Sequence, residues 1–149
     1  MPSLFEPLVA KNIRERIEKF TPQNPKQWGK MTHSQALTHL RKVLEIAVGD
    51  GTLKVTLIGK LLGPFIKKVV LSPKPYKQGL PTGKAYIVTA DGDFEKEKQL
   101  LLTTFDKFIA LGEKGMQGKA HPLFGKLTAY EWGFSQWKHI DHHLKQFDA

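Results

Sequence analysis

Two histidines near the end of the chain, His139 and His143, are the residues whose type and spacing most directly suggest chemistry. On a helix, residues four apart lie about 40° apart around the axis and about 6 Å apart along it, so both rings can converge on one ion. Neutral imidazole is a borderline ligand that suits zinc, nickel, iron or copper. Two rings hold a metal weakly, and a third must come from another element. His39 is the best candidate, because it lies mid-helix beside an apolar stripe. A three-histidine set leaves a coordination position for water or substrate, as a catalytic centre requires. The same spacing also describes a half-exposed helix face, and a lone histidine beside an apolar stripe also describes a core residue. His142 points about 100° from His143, toward solvent or a neighbouring helix. His33 falls in a first helical turn, where neutral imidazole is tolerated better than its cation. His121 precedes Pro122 in a loop and is the reserve ligand or a rim acid or base.

Other chemistries lack their residues. The chain has no cysteine, which removes disulfides, thiolate nucleophiles and cysteine-type zinc sites. Residue 140 is isoleucine, so the glutamate of the HExxH metalloprotease pattern is absent. Gly79–Lys84 ends in a glycine–lysine pair but lacks the full phosphate-loop spacing and its Ser/Thr. No serine occupies a nucleophile elbow. The catalytic residues therefore stay unassigned. Gln35, Gln136 and Asp141 are candidate acceptors for the second nitrogen of a ligating ring. Trp132 is a candidate pocket wall or core residue.

The formal net charge is +9, from 23 basic and 14 acidic residues. Arg14, Arg16 and Arg41 are the only arginines, and base reading usually favours arginine over lysine. No acid occurs from Gly51 to Ala90, whereas Lys54, Lys60, Lys67, Lys68, Lys74, Lys77 and Lys84 do. That run fits a solvated face, a phosphate-binding surface with strong salt dependence, or a membrane-surface segment over Val55–Leu71. An apolar patch there would equally serve a homodimer contact. No run of about 20 apolar residues is present, and the N-terminus carries an acid at Glu6 and no signal-peptide pattern. A cytoplasmic location is expected.

Helices must position these residues. Leu8, Val9, Ile13, Ile17 and Phe20 mark a first amphipathic helix over about 4–20. Thr32 with Gln35 forms a capping box, and Ala36, Leu40, Val43 and Ala47 continue as a core stripe that carries His39. Gly49 and Gly51 bracket its end. Val55–Leu71 is apolar but broken by Gly59, Gly63 and Pro64, which leaves two short helices or one kinked helix. A long ordered connection follows from Ser72 to Gly83. A third long helix spans about 93–111, capped by Asp91 or Asp93 and ended by Gly112 and Gly115. The last begins at a second capping box, Thr128 with Glu131. Trp132, Gln136, His139 and His143 then share one stripe. Four principal helices imply an all-α bundle, in one domain over residues 1–149, with an irregular crossover between the second and third.

His121-Pro122-Leu123-Phe124-Gly125, Glu131-Trp132-Gly133 and Lys138-His139-Ile140-Asp141-His142-His143-Leu144-Lys145-Gln146-Phe147 together resemble the signature of the DUF1569 family. Gln27-Trp28-Gly29-Lys30-Met31-Thr32 and Gln35-Ala36-Leu37-Thr38-His39-Leu40 are similar to it as well. The resemblance places the chain among DinB/YfiT-like metal-binding four-helix bundles. It implies a metal triad of His39, His139 and His143, one from the second helix and two from the last. Zinc or nickel is the expected ion, with iron or manganese as alternatives. Some members of that superfamily are transferases or isomerases that use bacillithiol, mycothiol or glutathione. The resemblance thus implies a small-molecule substrate, and either hydrolase or thiol-dependent transferase chemistry with a low-molecular-weight thiol cosubstrate. The competing expectation is a non-enzymatic interaction or nucleic-acid-binding bundle that uses its basic crossover.

Overall fold

The computed structural model describes residues 1–80 and 83–149. Five helices carry the described chain: α1 (Pro7–Lys19), α2 (His33–Val48), α3 (Leu57–Val70), α4 (Phe94–Met116) and α5 (Ala129–Gln146). A 3₁₀ turn at Lys84–Tyr86 precedes α4, and a short antiparallel pair, β1 (Ala120–His121) and β2 (Gly125–Lys126), links α4 to α5. The expected connection from Ser72 to Gly83 includes Pro81 and Thr82, which lie outside the described residues.

The helix starts follow from their caps. The Thr32 side chain accepts from Gln35 N while Gln35 reaches back to Thr32 N, and Thr128 and Glu131 do the same for α5. Each reciprocal pair satisfies backbone donors that the first helical turn leaves free. Gly49 ends α2 in the left-handed region at φ 93°, a conformation that costs glycine little. Asp93, not Asp91, caps α4 by accepting from Lys96 N. Asp91 instead accepts from the hydroxyls of Thr32 and Ser34, tying the approach to α4 to the start of α2.

Two elements depart from expectation, and a third resolves between its two alternatives. α1 begins at Pro7 rather than Leu4, so Ala10, Ile13 and Ile17 define its buried face and Leu8 projects into solvent. α4 runs beyond residue 111 to Met116, with a break at Gly112. Within Val55–Leu71 a single helix forms, α3 (Leu57–Val70), which contains Pro64. Proline there removes a bond to the carbonyl of Lys60. Both residues are exposed, so water can serve that carbonyl. The principal helices thus number five among the described residues, with a two-stranded pair besides.

α1, α2, α4 and α5 enclose the core, and the α2–α4 contact is the most extensive. Ile13, Ile17, Leu37, Leu40, Phe105 and Phe108 are buried there, with Trp132, Ile140 and Leu144 from α5. Each fully buried side chain of this size contributes about 1.5–3 kcal/mol relative to an exposed one. Phe20, Phe94 and Phe147 close one end through ring contacts at 5.4 Å. α5 therefore lies with one stripe in the core and its histidine stripe facing α2.

Candidate metal centre

α2 and α5 bring His39, His139 and His143 together. The ring centroids form a nearly equilateral triangle: 4.9 Å for His39–His139, 4.8 Å for His39–His143 and 4.9 Å for His139–His143. The ring planes cross at 73°, 71° and 85°. One candidate ligand atom from each ring lies within 4.8 Å of the other two. The three are therefore close enough to hold one metal ion.

Hydrogen bonds assign two of the tautomers. His39 Nδ1 lies 3.1 Å from the carbonyl oxygen of Tyr86. A carbonyl only accepts, so Nδ1 carries the proton and the lone pair is on Nε2. His143 Nδ1 lies 2.8 Å from Gln146 Oε1. That oxygen is fixed as the acceptor because Gln146 Nε2 donates to Trp28 O at 2.9 Å. His143 thus also keeps its lone pair on Nε2.

His139 completes the set. Its Nε2 lies 3.0 Å from His39 Nε2, while its buried Nδ1 has no partner. With the proton on Nε2, His139 can donate to His39 and leaves a buried lone pair on Nδ1. With the proton on Nδ1, two lone pairs face each other and the N–H is unpaired. A cation between the rings removes the lone-pair repulsion of that second arrangement, with the Nδ1–H still unpaired. Tetrahedral zinc with Zn–N bonds of 2.0–2.1 Å sets its nitrogens about 3.3 Å apart, so the His39–His139 separation needs little adjustment. The donor set and the close pair of Nε2 atoms fit a divalent ion.

Burial keeps the rings neutral. It lowers the pKa of His39, and it drives that of His139 well below 6.5 with help from His143 and His39. Burial, then the neighbouring His39, pushes His143 down to about 3. Neutral rings are the form that binds metal.

The triad borders a cavity of about 410 Å³. Val43, Ile66, Val70, Leu123 and Leu127 give it apolar walls, and Tyr76, Tyr86, His121 and His142 add polar groups. Burial raises both tyrosines, Tyr86 to about 12, which keeps their phenols protonated. His121 Nδ1 accepts from Leu123 N at 3.1 Å and Phe124 N at 3.3 Å. Its proton is therefore on Nε2, and burial pushes its pKa down to about 4. His121 is set by the hairpin to donate a hydrogen bond.

The other candidates fall into place differently. Gln136 borders the cavity with its Oε1 buried and unpartnered. Asp141 pairs with Arg16 and Lys145, each at 2.8 Å, which assigns it to an ion-pair network. Gln35 is spent on its cap and on Thr89 O. Trp132 is core, donating to Lys119 O at 3.1 Å. His33 sits 2.7 Å from Asn24 O and packs against Phe20 and Phe147. His142 lies between Trp28 and Tyr76 at the cavity rim.

Two supporting residues escaped the sequence reading. Gln146 orients His143, and its spacing of three residues was the available signal. Lys138 reaches the carbonyls of Val69, Val70 and Ser72 at 3.1, 3.2 and 2.8 Å. Its ammonium also lies 4.1 Å from the Tyr76 ring centroid. The residue beside His139 thus fastens the end of α3 to α5.

The fold and site define a mostly helical protein with three histidines gathered at an apolar cavity. Over residues 8–149 the chain matches the DUF1569 family model, described as a protein of unknown function. The chain belongs to that family. Neither the curated proteins nor the solved structures contain a match to it.

Proposed function

We propose that the chain is one DinB/YfiT-like domain that binds a divalent metal through His39, His139 and His143 and acts on a small molecule. The observation that carries this reading is the triangle of neutral rings, with two Nε2 atoms 3.0 Å apart and an unpaired buried nitrogen on His139. Imidazole donors favour zinc or nickel over magnesium or calcium. A divalent ion held there supplies a Lewis acid that lowers the pKa of a water or thiol.

The chain's own residues supply the rest. Tyr86 O and Gln146 Oε1 hold the His39 and His143 rings in the tautomer that binds. Val43, Ile66, Leu123 and Leu127 line the cavity and would receive the apolar part of a substrate. His121 Nε2–H is the candidate donor to a carbonyl or other electronegative atom of that substrate. With no cysteine in the chain, a thiol nucleophile arrives only with a cosubstrate. The reading therefore covers a hydrolase or a transferase that uses a low-molecular-weight thiol.

The test is a screen of zinc- and nickel-loaded protein against ester and electrophile panels, with and without glutathione, bacillithiol and mycothiol. Turnover that disappears on chelation and returns on reloading supports the proposal. Turnover retained in full by verified metal-free protein would overturn it.

A further inference from the structure

α3 is amphipathic in the reverse sense. Around its axis, Gly59, Ile66, Val70 and Gly63 occupy one arc of about 60° and face the protein. A Cβ on Gly63 would overlap the carbonyl oxygen of Leu123, so the helix rests on the hairpin through glycine. Its large side chains point the other way. Leu57, Leu61 and Phe65 are 76%, 75% and 67% exposed, and Ile58, Leu62 and Val69 continue the same surface. These six lie within an arc of about 140°. Nothing in the described chain covers them. A surface of this kind ordinarily marks an interaction site.

The flanking charge indicates what covers it. Exposed Lys60 lies beside the apolar arc and exposed Lys68 at its margin, and Lys54 precedes the helix. No carboxylate occurs from residue 51 to 90. The nearby Glu131 is engaged by Lys67 at 3.6 Å. An isologous contact with a second copy would set lysines against lysines without a compensating acid. An anionic lipid surface instead matches both features, with acyl chains for the apolar arc and headgroups for the lysines. The 14 residues of α3 span about 21 Å, short of the ~30 Å hydrocarbon core, so the helix lies in the plane of the surface.

We propose that α3 docks the protein on an anionic phospholipid surface, with Leu57, Leu61 and Phe65 inserted and Lys54, Lys60 and Lys68 at the headgroups. Ile66 and Val70 on its inner side wall the histidine cavity, so docking brings that wall to the lipid. Lys138 holds the helix end in the required orientation.

The experiment is vesicle flotation of the full chain. Vesicles of phosphatidylcholine with roughly one quarter phosphatidylglycerol should carry the protein upward, and pure phosphatidylcholine should carry at least about fivefold less. Binding should fall at about 0.5 M salt. The double variant Leu61→Glu/Phe65→Glu should stay at the bottom, and Lys60→Glu/Lys68→Glu should lose at least about fivefold. All four positions are exposed, so the circular dichroism melts should match the parent chain. No flotation with the anionic vesicles would overturn the proposal. So would a dimer in analytical ultracentrifugation that the Leu61→Glu/Phe65→Glu variant converts to monomer, since a second copy would then cover the face.

Discussion

The seam between α2 and α5 and the crossover helix α3 are built on opposite plans. At the seam, apolar side chains point inward at helical period, the polar rings among them are hydrogen-bonded, and the caps are reciprocal. In α3 the glycines point inward and the leucines outward, and the attachment runs through Lys138 to three carbonyls. A ligand set needs rings fixed by packing on rigid elements. A surface anchor needs apolar atoms left free. The contrast matches what the proposed metal site and the proposed surface contact would each require.

Acid tests the buried histidines around the cavity most severely. His121 and His143 have folded pKa values lowered to about 4 and about 3 from the ordinary 6.5. The unfolded chain therefore takes up protons that the metal-free fold excludes. Stability from these rings is complete above 6.5 and is lost as pH falls toward the folded values, by about 1.4 kcal/mol per pH unit for each ring. Urea melts of metal-free protein at stepped pH should show midpoints that drop steeply below 6.5. Equal midpoints at neutral pH and near pH 5 would contradict the burial of neutral rings.

Lys138→Met separates the two regions. It leaves the carbonyls of Val69, Val70 and Ser72 without their donor, at a cost of about 2–3 kcal/mol. Hydrogen exchange should speed up in α3 while the α2 and α4 amides keep their protection. Uniform loss of protection would show that α3 and the bundle open as one unit.

Gln146→Ala acts on the site and also removes the donor to Trp28 O. Losing the acceptor on His143 Nδ1 should weaken zinc binding roughly 10–100-fold, which competition against a chromophoric chelator would read. Gln136→Ala should weaken it as well if Gln136 Oε1, now unpartnered, accepts a hydrogen bond from His139 Nδ1–H once metal binds. Thr128→Ala has the smallest expected effect. Removal of the capping oxygen should cost about 1 kcal/mol in chemical denaturation and leave zinc affinity unchanged.

The legible parts were those written locally. Thr32/Gln35 and Thr128/Glu131 announce their helices, and the spacing of His139 and His143 places both rings on one face. That His39 meets them depends on α2 lying against α5, which periodicity cannot show. The family resemblance supplied that pairing. Lys138 was hidden because its partner carbonyls are far along the chain, Val69 at 69 residues; Gln146 lies three residues from His143, but what fixes its oxygen as the acceptor is Trp28, 118 residues away. Leu8 misled because the first helix starts at Pro7 and turns it to solvent. For Val55–Leu71 the apolar pattern indicated a surface to be covered. Whether the bundle or something outside it does so depends on how closely Gly59 and Gly63 approach the hairpin.

The most direct measurement is zinc stoichiometry and affinity for the untagged chain and for His39→Ala, His139→Ala and His143→Ala. One equivalent should bind the parent chain, and each substitution should weaken it by more than about 100-fold, with the helical spectrum retained. Undiminished uptake by all three variants would mean that these rings do not share an ion.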